Sequence, residues 1–268
     1  MFIIPIEKDN PTKSWPICVS TLIAINILIF IASYLVFDHA NIVKEYGFIP
    51  SSYTYFTILS SMFLHGGIWH ILGNMLFLYM YGDNVEEVLG PFIFLFSYIL
   101  CGLGGTALYF LFNMESTIPC IGASGAISGV VGIYMLLFPY AHVDINFYVW
   151  RWSIGELHTN ALGAILAWFG MQTLLGIAIF YFSDLQIIRI AFWAHVGGLT
   201  TGFFLGFLFK MMGIKPQIPN EAYNIIRKEE GKFWCPYCGK KHNYLKFGSY
   251  TCMQCGAKYK FSKEEIEQ

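Results

Sequence analysis

The sequence predicts an all-α polytopic membrane protein, a bundle of six transmembrane helices followed by a small metal-binding tail. Three observations predict it. The 268 residues are 56% hydrophobic and only 12% charged, against about 25% charged in a soluble domain, and the mean hydropathy is +0.55. Six apolar runs reach or approach the ~20 helical residues that cross about 30 Å of hydrocarbon. The charge is also lopsided: eleven Lys or Arg and six Glu follow Phe209, whereas the residues up to Phe209 hold five Lys or Arg and eleven Asp or Glu. An apolar body therefore precedes a basic tail, with residues 1–212 as the membrane domain, 213–231 as linker and 232–268 as the tail domain.

The first run covers roughly 17–37. No basic segment precedes it and no small-residue cleavage site follows, so it reads as a retained span rather than a signal peptide. The second, 68–88, is the weakest, because Asp83, Glu86 and Glu87 interrupt it after about Tyr81. Gly90-Pro91 separates it from the third, 92–112, and the polar stretch from Asn113 to Pro119 separates that from the fourth, 122–140, which Pro139 closes. The fifth, 161–182, and the sixth, 188–209, are divided by Ser183-Asp184.

Basic residues near span ends favour the cytoplasm. With the N-terminus inside, Lys8, Lys13, Arg151, Lys210 and Lys215 lie inside and only Lys44 and Arg189 outside, so both termini are expected in the cytoplasm. Spans two, four and six then run from outside to inside. His70, Ser124 and His195 fall in the first halves of those spans, on the order of 0–12 Å below the outer surface at about 1.5 Å per residue.

Strongly polar groups are costly in hydrocarbon and mark functional sites by default. Gly125, Gly129 and Gly132 on span four, and Gly198, Gly202 and Gly206 on span six, make small-residue stripes that let helix backbones approach. His195 shares its helix face with Gly198 and Gly202. Alone, such stripes are ordinary membrane packing, and a lone Ser can bond back to its own helix. Their coincidence at one depth points to chemistry. A Ser124 hydroxyl becomes a nucleophile when a base within reach takes its proton, and His195 is the candidate base. No Asp or Glu in the last two spans can orient His195, so a dyad is expected. His70 and Asn74, four apart on one helix face, can donate to a developing oxyanion. Ser124 at a helix start adds an unpaired backbone N–H.

These residues resemble the rhomboid intramembrane serine proteases. The family's His-x4-His-x3-Asn stands as His65…His70…Asn74, its Gly-x-Ser-Gly as Gly122-Ala123-Ser124-Gly125, and its Ala-His-x2-Gly-x3-Gly as Ala194-His195…Gly198…Gly202. Asp9-Asn10-Pro11 and Val85-Glu86 look like bacterial and archaeal members, and the likeness covers about residues 1–212. It implies Ser124 as nucleophile, His195 as base, and Asn74 and His70 as oxyanion stabilisers, with no cofactor for catalysis. His65, Gly122, Gly125, Gly198 and Gly202 would support the site. It also implies transmembrane segments of other proteins as substrates within the lipid bilayer, and a prokaryotic plasma membrane as the location. Two departures stand out: Phe56-Thr57 replace a Trp-Arg pair that many relatives carry before the first motif His, and Ser128 replaces an aromatic residue packed on the catalytic His. Tyr134 or Phe192 are the candidate stand-ins for that aromatic ring.

In the tail, Cys235-x2-Cys238 and Cys252-x2-Cys255 have the spacing of two knuckles that place four thiolates around a structural zinc, and resemble a zinc ribbon. A disulfide or redox pair fits less well in a reducing cytoplasm. A domain of ~30 residues has too little core to fold without the metal. Its Lys excess is compatible with anionic headgroups, nucleic acid or a partner protein, and equally with a solvated face. Cys18, Cys101 and Cys120 read as apolar packing residues. Two other functions compete with the protease: a rhomboid-fold pseudoenzyme that binds membrane helices, and a transporter in which His70 and His195 relay protons.

Overall fold

A computed structural model describes residues 2–7, 14–139, 141–149, 152–160 and 186–214, isolated helical positions 163, 165 and 170, and short tail segments 228–229, 232–234, 241–243, 248–251 and 258–261. The helices are α1 (Ile17–Leu35), α2 (His39–Tyr46), α3 (Tyr55–Ser60), α4 (Ile68–Leu89), α5 (Pro91–Phe112), α6 (Ser124–Leu137) and α7 (Gln186–Met211). Among the described residues α1, α5 and α7 are long and apolar enough to cross a membrane by themselves, and α3 with its following turn joins α4 in a fourth, bent by 88°. The expected fifth span, 161–182, lies outside the described residues apart from those three helical positions. The fourth span is corrected: α6 has 14 residues instead of a run over 122–140, about 21 Å of helix. Gly122, at φ +126°, and Phe138, at the C-cap, take non-helical backbone on either side.

Glu86 explains how α1 seats. Pro16 precedes the helix without capping it, and the first N–H groups of a helix have no partner within it. Cys18 and Val19 instead donate to the two carboxylate oxygens of Glu86, 2.8 Å each, from 67–68 residues away on α4. Glu86 is only 5% exposed, so this acceptor is buried against the positive end of α1. The two helices close where Gly82 has no side chain: a Cβ there would sit 2.9 Å from Val19 Cγ2. Outward-facing Leu28, Leu35, Phe96, Phe204 and Met211 are exposed, while Leu78, Phe94, Tyr98, Val130 and Tyr134 fill the interior. That is the distribution hydrocarbon solvent favours.

The segment between α1 and α4 is built rather than loose. Asp38 caps α2 by accepting from the Ala40 N–H at 3.0 Å. Thr54 and Thr57 cap α3 reciprocally, each hydroxyl accepting the other's backbone N–H. Thr57 thus anchors this segment through a helix cap. Phe56 makes an edge contact with Tyr46 at 6.0 Å.

The all-helical expectation has an exception. Strands β1 (Phe2–Glu7), β2 (His142–Val149) and β3 (Trp152–Asn160) form an antiparallel sheet in that order. Phe2 pairs with Tyr148 and Glu7 with Val143. Backbone pairing between residues about 140 positions apart leaves no local periodic signal. In the tail, β4 (Lys228–Glu229), β5 (Lys232–Trp234) and β6 (Lys241–Asn243) form one antiparallel sheet, and β7 (Gly248–Thr251) and β8 (Lys258–Phe261) a hairpin.

Candidate active site

The glycine stripes bring α6 and α7 together in parallel. A Cβ at Gly198 would collide with the Gly125 carbonyl, and one at Gly202 with the Gly129 carbonyl; one at Gly206 would meet Ile133 Cα at 3.1 Å. The contacts advance along both helices together, so backbone packs on backbone over several turns. Helix α5 completes the group, since a Cβ at Gly105 would lie 2.7 Å from the Ala194 carbonyl oxygen and 3.4 Å from Gly125 Cα. Gly125 and Ala194 therefore meet, and their chain neighbours Ser124 and His195 both line one cavity of about 610 Å³.

His70 and Asn74 line the same cavity from α4, joined by Trp69, Gly73 and Phe77 on the same face. These last three had no signal beyond their i, i+4 spacing around the motif residues. His70 Nδ1 accepts the Gly66 N–H at 3.3 Å, so the proton of the neutral ring sits on Nε2. Nε2 lies 2.8 Å from where a Gly122 Cβ would stand, and Ser124 Oγ lies 3.6 Å from the same point. Gly122 is required twice here, by its positive φ and by the approach of that ring. Its N–H donates to the Ser61 carbonyl at 2.9 Å, tying the loop before Ser124 to the turn after α3.

Asn74 is 8% exposed and its Nδ2 has no hydrogen-bond partner among the described residues. Ser124 is the first residue of α6, where backbone N–H groups lack helical acceptors. An amide, an imidazole N–H and a backbone N–H are thus the donors available around Ser124. His65 is 1% exposed, with its ring centroid 5.1 Å from that of His70 in an edge contact. That contact places His65 against the side of the His70 ring. Cys120 also lines the cavity, but burial pushes its thiol up to about 12, leaving it protonated and a poor nucleophile.

Of the two rings expected to pack on His195, Tyr134 stands far along α6. It lies ten residues beyond Ser124, about 15 Å down the helix, stacked on Phe138 at 4.8 Å and edge-on to Tyr81 at 4.9 Å. Phe192 packs edge-on to Trp193 at 5.2 Å, and Trp193 stacks on Phe112 at 3.6 Å. That aromatic group fixes the turn of α7 immediately before His195. Ser128 is buried on the cavity wall.

In the tail, Cys235 and Cys238 belong to the six-residue connection between the paired strands β5 and β6, and Cys252 and Cys255 to that between β7 and β8. The four cysteines lie outside the described residues.

A helical membrane bundle with these residues on one cavity defines an integral membrane protein of rhomboid type. The Rhomboid domain matches residues 52–211, and the chain belongs to that family, whose members are generally serine intramembrane proteases. It is 34% identical to RHOMBOID-like protein 2 of Arabidopsis thaliana over 165 residues, 62% of this chain and 44% of that protein. It is 29% identical to RHOMBOID-like protein 1 of the same plant over 185 residues, 69% of this chain and 41% of that one. With Rhomboid protein 1, mitochondrial, of Saccharomyces cerevisiae it shares 31% over 121 residues, 42% of this chain and 35% of that protein. The chain thus spans less than half the length of these curated relatives.

Proposed function

We propose that this protein is an intramembrane serine endopeptidase that cuts transmembrane segments of other membrane proteins with a Ser124–His195 dyad. The observation that carries the reading is the orphaned Asn74 amide: a buried donor without a partner, on the wall of the cavity that holds Ser124, His70 and His195. Buried donors are nearly always satisfied, and a carbonyl oxygen that gains negative charge would satisfy this one.

In the proposed reaction Ser124 Oγ attacks the scissile carbonyl carbon while His195 takes its proton. The carbonyl π electrons move to oxygen, which accepts from Asn74 Nδ2, His70 Nε2 and the Ser124 N–H. Collapse breaks the C–N bond, and His195 passes its proton to the leaving amine. Water, deprotonated by His195, then attacks the acyl carbon, the bond from that carbon to Ser124 Oγ breaks, and His195 returns the proton to Oγ. The sequence places no Asp or Glu in the fifth and sixth spans, 161–182 and 188–209, which supports a dyad over a triad. The bundle would comprise six spans, the fifth drawn from residues 161–182.

Basic residues support both termini in the cytoplasm, and Asp9-Asn10-Pro11 supports a prokaryotic plasma membrane; the relatives found include plant and mitochondrial proteins and decide neither. For the tail we infer a structural zinc held by Cys235, Cys238, Cys252 and Cys255, supported by the spacing and the two hairpins.

Covalent labelling by a serine-directed fluorophosphonate tests the dyad. Wild type should be labelled and should cleave a transmembrane reporter, and Ser124→Ala should do neither. Absence of labelling and cleavage in folded wild type would make the protein a membrane-helix binder instead.

A further inference from the structure

We propose that an apolar groove between α1, α2 and the α3 segment holds one acyl chain of a phospholipid from the leaflet on the Ser124 side, and that this chain braces the wall of the active-site cavity. The groove encloses about 460 Å³ and is lined by Ile29 and Ala32 of α1, Ile42 and Tyr46 of α2, and Leu59 and Phe63 around α3. Its surroundings decide the occupant. Leu35, Val36, Tyr55 and Phe56 nearby are 80%, 72%, 88% and 63% exposed, so its mouth meets hydrocarbon. Within a membrane no hydrophobic force closes such a groove, and an empty one forfeits dispersion contacts. Its lining serines, Ser33 and Ser60, donate their hydroxyls to the Phe30 and Tyr46 carbonyls, so the groove offers an occupant apolar contact, which a single flexible hydrocarbon chain meets.

The link to catalysis is a shared wall. Leu59, Ser60, Phe63 and Leu64 line the groove, while Ser61 and Met62 between them line the catalytic cavity. The Ser61 carbonyl holds the Gly122 N–H at 2.9 Å, two residues before Ser124. Pressure on one side of this short segment is therefore felt by the loop that carries Ser124. Ser60 adds a second tether, its hydroxyl donating to the Tyr46 carbonyl at 2.7 Å. The bracing half of the proposal rests on the protease reading, and the lipid half does not.

The probe is a phosphatidylethanolamine with a diazirine in its acyl chain, incorporated into vesicles holding the full chain. Irradiation should cross-link residues of 29–64 in preference to the exposed faces of α5 and α7. Ala32→Trp and Ile42→Trp, which fill the groove from two different helices, should each abolish that cross-link while eluting as folded protein; Leu28→Trp, on the exposed face of α1, should retain it. Uniform cross-linking over all lipid-facing helices, or persistence in both filled variants, overturns the lipid site. Delipidation in detergent should slow fluorophosphonate labelling of wild type, with recovery on adding phospholipid, and should not slow it in Ala32→Trp. An unchanged labelling rate overturns the bracing. Failure of every form to label would count against the protease reading, and the cross-linking result would still decide the lipid site.

Discussion

The glycine seam between α6 and α7 makes a graded prediction. At Gly198 and Gly202 an added methyl would collide with the Gly125 and Gly129 carbonyls, both backbone atoms that no rotamer change can move aside. At Gly206 the nearest atoms are 3.1–3.3 Å away, so a few tenths of an ångström suffice. Gly198→Ala should therefore push α7 from α6 by on the order of 1 Å beside His195, and misplacement of a reacting group by that much costs about 10²-fold in rate. Gly202→Ala, one turn deeper, should lose less, and Gly206→Ala should stay within a few-fold of wild type. Gly67→Ala is the control, since nothing lies within 4 Å of its Cβ position and its φ of 164° is extended backbone. Turnover of a transmembrane reporter by purified protein in detergent reads the series, with fluorophosphonate labelling as a substrate-free measure and thermal melting to show that each variant is folded. Wild-type turnover in Gly198→Ala, or a larger loss at Gly206 than at Gly198, would refute the claim that this seam sets the Ser124–His195 distance.

Three further outcomes are expected. Asn74→Ala should lower kcat by ~10²–10³, the usual loss for one oxyanion donor, with KM little changed; a change in KM alone would reassign Asn74 to substrate binding. Glu86→Ala removes both buried acceptors of the α1 N-terminus, and since a hydrogen bond to a charged group contributes about 1.5–3 kcal/mol, unfolding titrations should show a loss of at least ~2 kcal/mol, with Glu86→Gln intermediate. Cys235→Ser and Cys252→Ser should each abolish the zinc measured by elemental analysis while leaving reporter cleavage in detergent near wild type; a chelator-sensitive active site would contradict the separation of tail from membrane domain.

The spans α1, α5 and α7 were legible because hydropathy is local: twenty apolar residues announce themselves wherever the chain goes. Much of the candidate site was legible for a related reason. His70 and Asn74 share a face by helical spacing alone, and the glycines at 125, 129, 132 and at 198, 202, 206 repeat at intervals that only a close helix contact explains. What the sequence could not express is who answers whom across the chain. Glu86 read as an interruption of an apolar run, yet in the fold its carboxylate terminates α1 from 67–68 residues away. Tyr134 read as a plausible neighbour of His195, until helix rise and its stacking on Phe138 put it three turns below. The pairing of β1 with β2, and the 88° bend between the α3 segment and α4, depend on hydrogen bonds and packing between distant segments. Residue type and spacing determined which groups are candidates for chemistry; only tertiary packing decided the cavity they share, because the atoms that fix its walls come from α4, α5, α6, α7 and the turn after α3, none of which specifies its neighbours by local sequence.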